Sequence, residues 1–296
     1  MMEILASLPP SVRHFLVDVL RLSLRFFILA IIFIPLERIF AERKQKLFRR
    51  GLVTDIGYYI LNSLLPQSLL VVPLAALAWA MHALVPHVVL DTAAQLPLWA
   101  RALAALAVGE VGYYWGHRWE HEIPFLWRFH SIHHNAEEMD WLVSSHAHPL
   151  DIVFSRFCGL VPVYALGLAS TVAGSAIDPV PLMILLLGLL WGFFIHANIN
   201  WRFGWLSFLV TTPAFHHWHH TRRDHVNKNY ATMLPFVDLL FGSWYMPRKQ
   251  WPQEYGIDGH VEPGLIGQLL QPFAPVEASA APLETAASVD PGQSRS

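Results

Sequence analysis

Four or five long apolar runs divide the chain, and polar segments separate them. The runs are residues 24–40, 58–84, 98–115, 152–173 and 180–199. The first is short for a full membrane span and is closed by Glu37 and Arg38. The second passes the ~20-residue length needed to cross a bilayer, although Pro66 and Pro73 interrupt it. The third ends on Gly109, Gly112 and Gly116, small residues that let another helix approach closely. A short turn containing Gly and Pro separates the last two, which read as a hairpin dipping into or across the bilayer. This pattern predicts an all-α integral membrane helical bundle.

Charge orients the bundle. Arg43, Lys44, Lys46, Arg49 and Arg50 cluster after the first run, whereas residues 85–97 and 174–179 contain no Lys or Arg. The positive-inside rule then places residues 41–51, the region 117–150 and everything after residue 200 on the cytoplasmic side. The chain divides into a membrane-proximal helix and basic loop (1–50), a catalytic domain (51–258) and an extension (259–296). The extension is rich in Ala, Pro, Ser and Glu and is expected to be disordered from about residue 272. The first twenty residues include Pro9, Pro10 and Asp18 and lack an Ala-x-Ala site, so they do not read as a secretory signal peptide.

Composition agrees with a membrane protein. Of 296 residues, 54% are hydrophobic and only 14% charged, against about 25% charged in soluble domains. A net charge of −2 gives no reason to expect a nucleic-acid partner. The single cysteine, Cys158, excludes intrachain disulfides and thiolate metal sites. Any metal chemistry therefore falls to nitrogen and oxygen ligands.

Most of the 17 histidines lie on the polar segments that this topology puts on one face. They form three boxes: His117-Arg-Trp-Glu-His121, His130-Ser-Ile-His133-His134 and His216-His217-Trp-His219-His220. On a helix, residues three and four apart share a face, so an H-x-x-x-H pair can grip one metal. Adjacent residues diverge by about 100°, so His133 and His134 can reach two metals. Eight imidazoles in three boxes suit a dinuclear centre. Lone histidines such as His14, His82, His87 and His260 read as interface or packing residues instead.

Three rival chemistries meet these residues less well. His117-Arg-Trp-Glu-His121 matches the H-x-x-E-H signature of one class of zinc peptidase, but catalytic zinc needs three protein ligands and most of the boxes would have no task. A carboxylate-bridged di-iron bundle needs paired Glu-x-x-His motifs, and no histidine here has an acid three residues before it. A membrane metal transporter or sensor would carry ionisable residues inside its spans. Residues 58–84 and 180–195 hold none except His82. So many imidazoles around two ions imply coordination numbers of five or six, which favours iron and oxygen chemistry.

The ordered boxes resemble those of the membrane-bound fatty acid hydroxylase/sterol desaturase superfamily, in its bacterial sterol desaturase-like form. Glu110-Val-Gly-Tyr-Tyr-Trp-Gly-His-Arg is similar to the family's lead-in to its first box, and Thr212-Pro-Ala-Phe precedes the third box as it does there. Asn229-Tyr-Ala through Asp238-Leu-Leu-Phe-Gly is similar to the family's following segment, so the likeness covers roughly residues 50–255. The resemblance implies O2-dependent hydroxylation or desaturation of a C–H bond in a membrane lipid or sterol-like substrate, with two iron ions. It implies His117, His121, His130, His133, His134, His216, His219 and His220 as ligands, with His196 matching the family's hairpin histidine. Two departures stand out. His148-Pro-Leu-Asp151 replaces the family's frequent His-Pro-x-Glu, and Asn200 stands where some members add a histidine, which leaves one metal to be bound by an amide or through water.

Other expectations follow. The sequence has no dinucleotide fingerprint and no cysteine set for an iron–sulfur cluster, so electrons come from a separate donor protein or reductant, a pterin in some relatives. The expected location is multi-pass in a bacterial inner membrane with the boxes on the cytoplasmic side. Glu120, Glu137, Glu138, Asp140 and Asp224 are candidates to hydrogen-bond the ligand rings. Trp115, Trp119, Trp127, Trp141, Trp201, Trp205 and Trp218 are expected as interfacial anchors. His217, where an arginine often stands in the family, is expected to face away from the metals, beside them or at the surface near a donor's docking face.

Overall fold

The computed structural model describes residues 9–169 and 179–275. It is helical, with α1 (Pro10–Ile39), α2 (Leu52–Leu84), α3 (His87–Gln95), α4 (Leu98–Glu122), α5 (Pro124–His134), α6 (Pro149–Ala165), α7 (Pro179–His196), α8 (Pro213–His219), α9 (Phe236–Phe241) and α10 (Gly264–Leu270). Among the described residues no strand forms; there are only the isolated bridges Ala41–Ile199 and Thr221–Tyr255. Proline stands in the first turn of α1, α5, α6 and α8, where its missing N–H is not needed and its fixed φ suits the helix.

Three helices, α1, α2 and α7, are long and apolar enough to cross a membrane. They expose Leu20, Phe27, Ile31, Val71, Val72, Trp79 and Leu190, a surface suited to lipid rather than water. The first span is longer than its apolar run suggested, because the helix begins at Pro10 and continues through Pro35. α2 likewise continues through Pro66 and Pro73. Part of the expected hairpin turn, residues 170–178, lies outside the described residues, as does the tail from residue 276.

The run at 98–115 becomes a helix that pairs with α6 inside the bundle. A Cβ at Gly112 would run into the carbonyl of Cys158 and within 2.8 Å of Pro162, and one at Gly116 would lie 2.7 Å from Cys158 Cβ. The glycines therefore permit a close backbone approach. This contact holds the C-terminal turn of α4, which carries the first box, against the start of α6.

The polar segments meet at one end of the bundle. Glu37 at the end of α1 accepts from the backbone N–H groups of Trp141 (2.7 Å) and Asn198 (3.0 Å). Arg43 N–H donates to the Asn198 side chain at 3.0 Å, and the nearly closed-off Arg49 guanidinium pairs with Asp140 and Asp55. The basic loop and the box-bearing segments thus share one end, as the charge pattern indicated. Several tryptophans differ from expectation. Trp141 packs between Phe33 and Phe193 in the core, and Trp218 is buried, because both rings find apolar partners inside. Trp205, 71% exposed, is free to meet an interface.

Filling the α4–α6 contact tests its role. Gly112→Val should destabilise the protein by ~1–3 kcal/mol through overpacking, read as a lower thermal midpoint in detergent. Gly188→Ala on α7, where an added Cβ meets no described atom within 4 Å, should leave the midpoint unchanged or raise it.

Candidate metal centre

Helix breaks at Ile123 and at Thr212 aim the boxes inward. α4 ends just after His117 and His121, and the chain restarts at Pro124 to carry His130, His133 and His134. α7 ends on His196. Thr212 accepts from Phe215 N–H and caps α8, which carries His216 and His219 and passes into His220.

The structure gathers all nine histidines into two sets. His117, His121, His130, His134 and His219 form one; His133, His196, His216 and His220 form the other. The neighbours His133 and His134 face different sets, as do His219 and His220, which is the divergence their helix positions imposed. In the five-histidine set the Nε2 atoms of His117, His121 and His134 each lie 3.1 Å from that of His130. His219 Nε2 lies 3.0 Å from His134 and 3.3 Å from His121. In the second set His196 Nε2 is 3.1 Å from His133 and 3.0 Å from His216, which is 3.2 Å from His220.

Several of these short contacts, His117–His130 and His133–His196 among them, are not hydrogen bonds, and the other ring nitrogens show why. His117 Nδ1 lies 2.7 Å from the Tyr230 carbonyl, His133 Nδ1 2.9 Å from that of His146, His196 Nδ1 2.7 Å from that of Gly192 and His219 Nδ1 2.8 Å from that of Lys228. A carbonyl only accepts, so each Nδ1 carries the proton. His130 Nδ1 donates to Asp151 at 3.0 Å. The Nε2 atoms of His117 and His130, and of His133 and His196, therefore point lone pairs at one another, an arrangement that repels unless a cation lies between. Metal–nitrogen bonds of about 2.1 Å put neighbouring nitrogens about 3.0 Å apart at right angles and about 3.4 Å apart in a tetrahedron. The observed spacings fit that range.

Protonation cannot relieve the crowding. Burial lowers His117 and His133 to about 3, assisted in each by the nearby His130. Burial also holds His134, His219 and His220 well below the ordinary histidine value. These five rings are thus held in the neutral form a metal requires.

A third cluster, Glu120, His130 and Asp151, has a different task. Burial and the charge of Asp151 raise the Glu120 carboxyl well above its usual range, so it is neutral and takes the Ser155 hydroxyl at 2.7 Å. Asp151 is held low despite its burial by His130 and stays ionised. It makes the His130 ring a more basic ligand.

Of the acids expected to hold ligand rings, none of Glu120, Glu137, Glu138, Asp140 and Asp224 makes that bond in the structure. Glu120 comes nearest, 3.8 Å from His130 Nδ1. Asp140 instead caps the 141–145 turn. Asp151 does hold a ring, which settles the role left open by its exchange for Glu. Asn227 Oδ1, 3.2 Å from His121 Nδ1, was not anticipated. Nor were the carbonyls, which carry no sequence signal. Asn200 is exposed, whereas the rings of the four-histidine set are buried, so the structure does not turn it inward as the amide its position suggested. His148 accepts from Leu150 N–H, and His146 Nδ1 hydrogen-bonds Asp55.

The motif residues act on backbone. Asp238 accepts from Tyr230 and Ala231 N–H at 2.8 Å each, and Glu110 accepts from Thr232 and Met233. Both fix the strand of chain that offers its Tyr230 carbonyl to His117. Asn227 and Asn229 take positive φ, which asparagine tolerates, and the turn brings the Lys228 carbonyl to His219.

His217 faces away from both sets, as expected, but it is buried rather than at the surface. Its Nε2 donates to the Ala197 carbonyl at 3.1 Å and its Nδ1 accepts from Tyr255 Oη at 2.9 Å. It braces the chain just past His196.

With this geometry in hand, the comparisons with known proteins are specific. Residues 102–243 match the family model described as fatty acid hydroxylase. The chain is 34% identical over 182 residues to ornithine lipid hydroxylase OlsE of Rhizobium tropici, covering 61% of this chain and 52% of that protein. It is 33% identical over 147 residues to alkylglycerol monooxygenase of Danio rerio, covering 49% and 30%. It is 27% identical over 158 residues to methylsterol monooxygenase 2-2 of Arabidopsis thaliana, covering 50% and 55%. The matches span about half or less of the length of these relatives. No solved structure matches. Over residues 102–243 the chain is thus similar to fatty acid hydroxylase domains, and these likenesses fit the membrane-bound fatty acid hydroxylase/sterol desaturase superfamily.

Two measurements check the centre. Folded His117 and His133 lie below the unfolded value of about 6.5, so metal-free protein should keep its full stability above about pH 6.5 and lose it progressively as pH falls toward about 3, at ~1.4 kcal/mol per pH unit for each such ring. Thermal midpoints of stripped protein that rise on acidification would contradict this. Separately, His219→Ala should lose metal by elemental analysis, whereas His217→Gln, whose amide can still donate to Ala197, should retain it.

Proposed function

We propose that the protein is a di-iron membrane oxidoreductase that uses O2 to hydroxylate or desaturate a C–H bond in a lipid or sterol-like substrate. The observation that carries this reading is the pair of converging Nε2 sets, five and four imidazoles, in which His117, His130, His133, His196 and His219 turn their protons outward. Supporting it are relatives whose names specify a lipid hydroxylase and two monooxygenases. His117, His121, His130, His134 and His219 would hold one iron; His133, His196, His216 and His220 would hold the other. When bound, the iron pair supplies the O2-dependent oxidation of an unactivated C–H bond. Zinc fits less well, since tetrahedral sites need no fifth imidazole.

The residues of the chain do the remaining work. The carbonyls of Gly192, His146, Lys228 and Tyr230 hold the rings in one tautomer. The bundle presents apolar helices to the bilayer, from which a lipid enters without crossing water. The basic loop at 41–51 argues that the centre faces the cytoplasm, where a separate donor protein or reductant would deliver two electrons. For hydroxylation the balance is substrate, O2, two electrons and two protons in, alcohol and water out.

The test is incubation of iron-loaded protein with extracted membrane lipids, a chemical or enzymatic reductant and 18O2. A lipid gaining one 18O atom or losing two hydrogens in mass spectra, and not with His133→Ala protein, is the expected result. Iron-loaded, reduced protein that changes no lipid in the extract of its own source would overturn the reading.

A further inference from the structure

We propose that Arg25 and Arg156 form a binding site for the anionic oxygens of a lipid headgroup, in a cavity walled in part by the segments that lead to His146 and His196. The two arginines line a cavity of about 50 Å³ between α1, α2, α6 and α7. That volume holds a few waters or one carboxylate or phosphate group. Arg156 stands about 10 Å along α6 from its start, on a helix whose one other charged residue, Asp151, is taken by His130. Among the described residues Arg156 makes no hydrogen bond, and neither arginine meets a carboxylate. Arg25 is steadied by neutral groups alone: Nε donates to Tyr59 Oη at 3.0 Å, and the guanidinium also reaches Ser63. Two guanidinium groups facing one small cavity between apolar helices are expensive without an anion, and arginine is the residue best matched to carboxylate and phosphate oxygens.

Asn62 adds direction. Its Nδ2 donates to the carbonyls of Ser145 (2.9 Å) and Ala147 (2.8 Å), which fixes the amide. Its Oδ1 is then left buried with no partner, on a residue that lines the same cavity. The cavity thus presents two cations and one acceptor, complementary to an anionic group with a neighbouring O–H or N–H donor. Ser145 and Ala147 flank His146, whose carbonyl takes the proton of His133. Ile152, Leu189 and Phe193 supply an apolar wall. The lining residues Ser145 and Phe193 stand one residue before His146 and one helical turn before His196. Identifying that lipid with the substrate rests on the oxidation proposed above; the anion site itself does not.

The shared chemistry is an oxyanion, and its source is either a lipid or a soluble ion. The experiment uses the full chain, metal-loaded in neutral detergent, with dioleoyl phosphatidylglycerol, dioleoyl phosphatidylcholine and inorganic phosphate as separate probes in native mass spectrometry. Phosphatidylglycerol should bind saturably and more tightly than phosphatidylcholine. Arg156→Gln and Arg25→Gln should each weaken it about tenfold or more, while Arg156→Lys, which keeps the charge, weakens it less. Equal binding by wild type and both Gln variants would overturn the site, and arginine-dependent binding of inorganic phosphate alone would overturn its assignment to a lipid. Metal content read on the same samples separates the two ideas. Arginine-dependent lipid binding in a chain that takes up no iron would retain this site and sink the proposed function.

Discussion

The whole centre depends on where the imidazole protons sit. Four rings give their Nδ1 protons to backbone carbonyls and one gives its proton to Asp151. Those bonds leave the Nε2 lone pairs facing each other about 3 Å apart. Neutral rings cannot satisfy that arrangement among themselves, and burial prevents them from charging. The protein therefore builds a concentrated set of acceptors that only a cation relieves.

Much of the surrounding structure holds those carbonyls still. Glu110 and Asp238 collect backbone N–H groups from residues 230–233 and so fix the acceptor for His117. Asn62 fixes the chain on both sides of His146, which accepts from His133. His217 holds the Ala197 carbonyl just beyond His196. The glycine contact between α4 and α6 sets how closely the first box approaches Asp151. Glu110, Asp238 and Asn62 are thus spent on backbone rather than on the ligand rings, whereas Asp151 holds the His130 ring itself.

The histidine spacing made the division into two sets legible before any coordinates, because adjacent residues on a helix must diverge. His133 and His134 behave as that geometry requires. The charge asymmetry likewise placed the basic loop with the boxes, and Arg49 joins them through Asp55 and Asp140. The ring partners were not legible: none of the five acids expected holds a ring, and Asp151, which does, stood out only as a departure from the family pattern. Carbonyl acceptors such as Lys228 have no residue signature, and long-range folding decides them. The exposed Asn200 shows the limit of carrying a family position across, since the turn after α7 directs that side chain outward. Trp141 misled for a similar reason: composition marks tryptophan as an interface residue, but its packing on Phe33 and Phe193 is a tertiary fact.

The most direct measurement is an anomalous-difference map at the iron edge from crystals of iron-loaded protein. The account predicts two peaks, one enclosed by His117, His121, His130, His134 and His219, the other by His133, His196, His216 and His220. A single peak, or a peak at Glu120 and Asp151 with none in the four-histidine set, would contradict it.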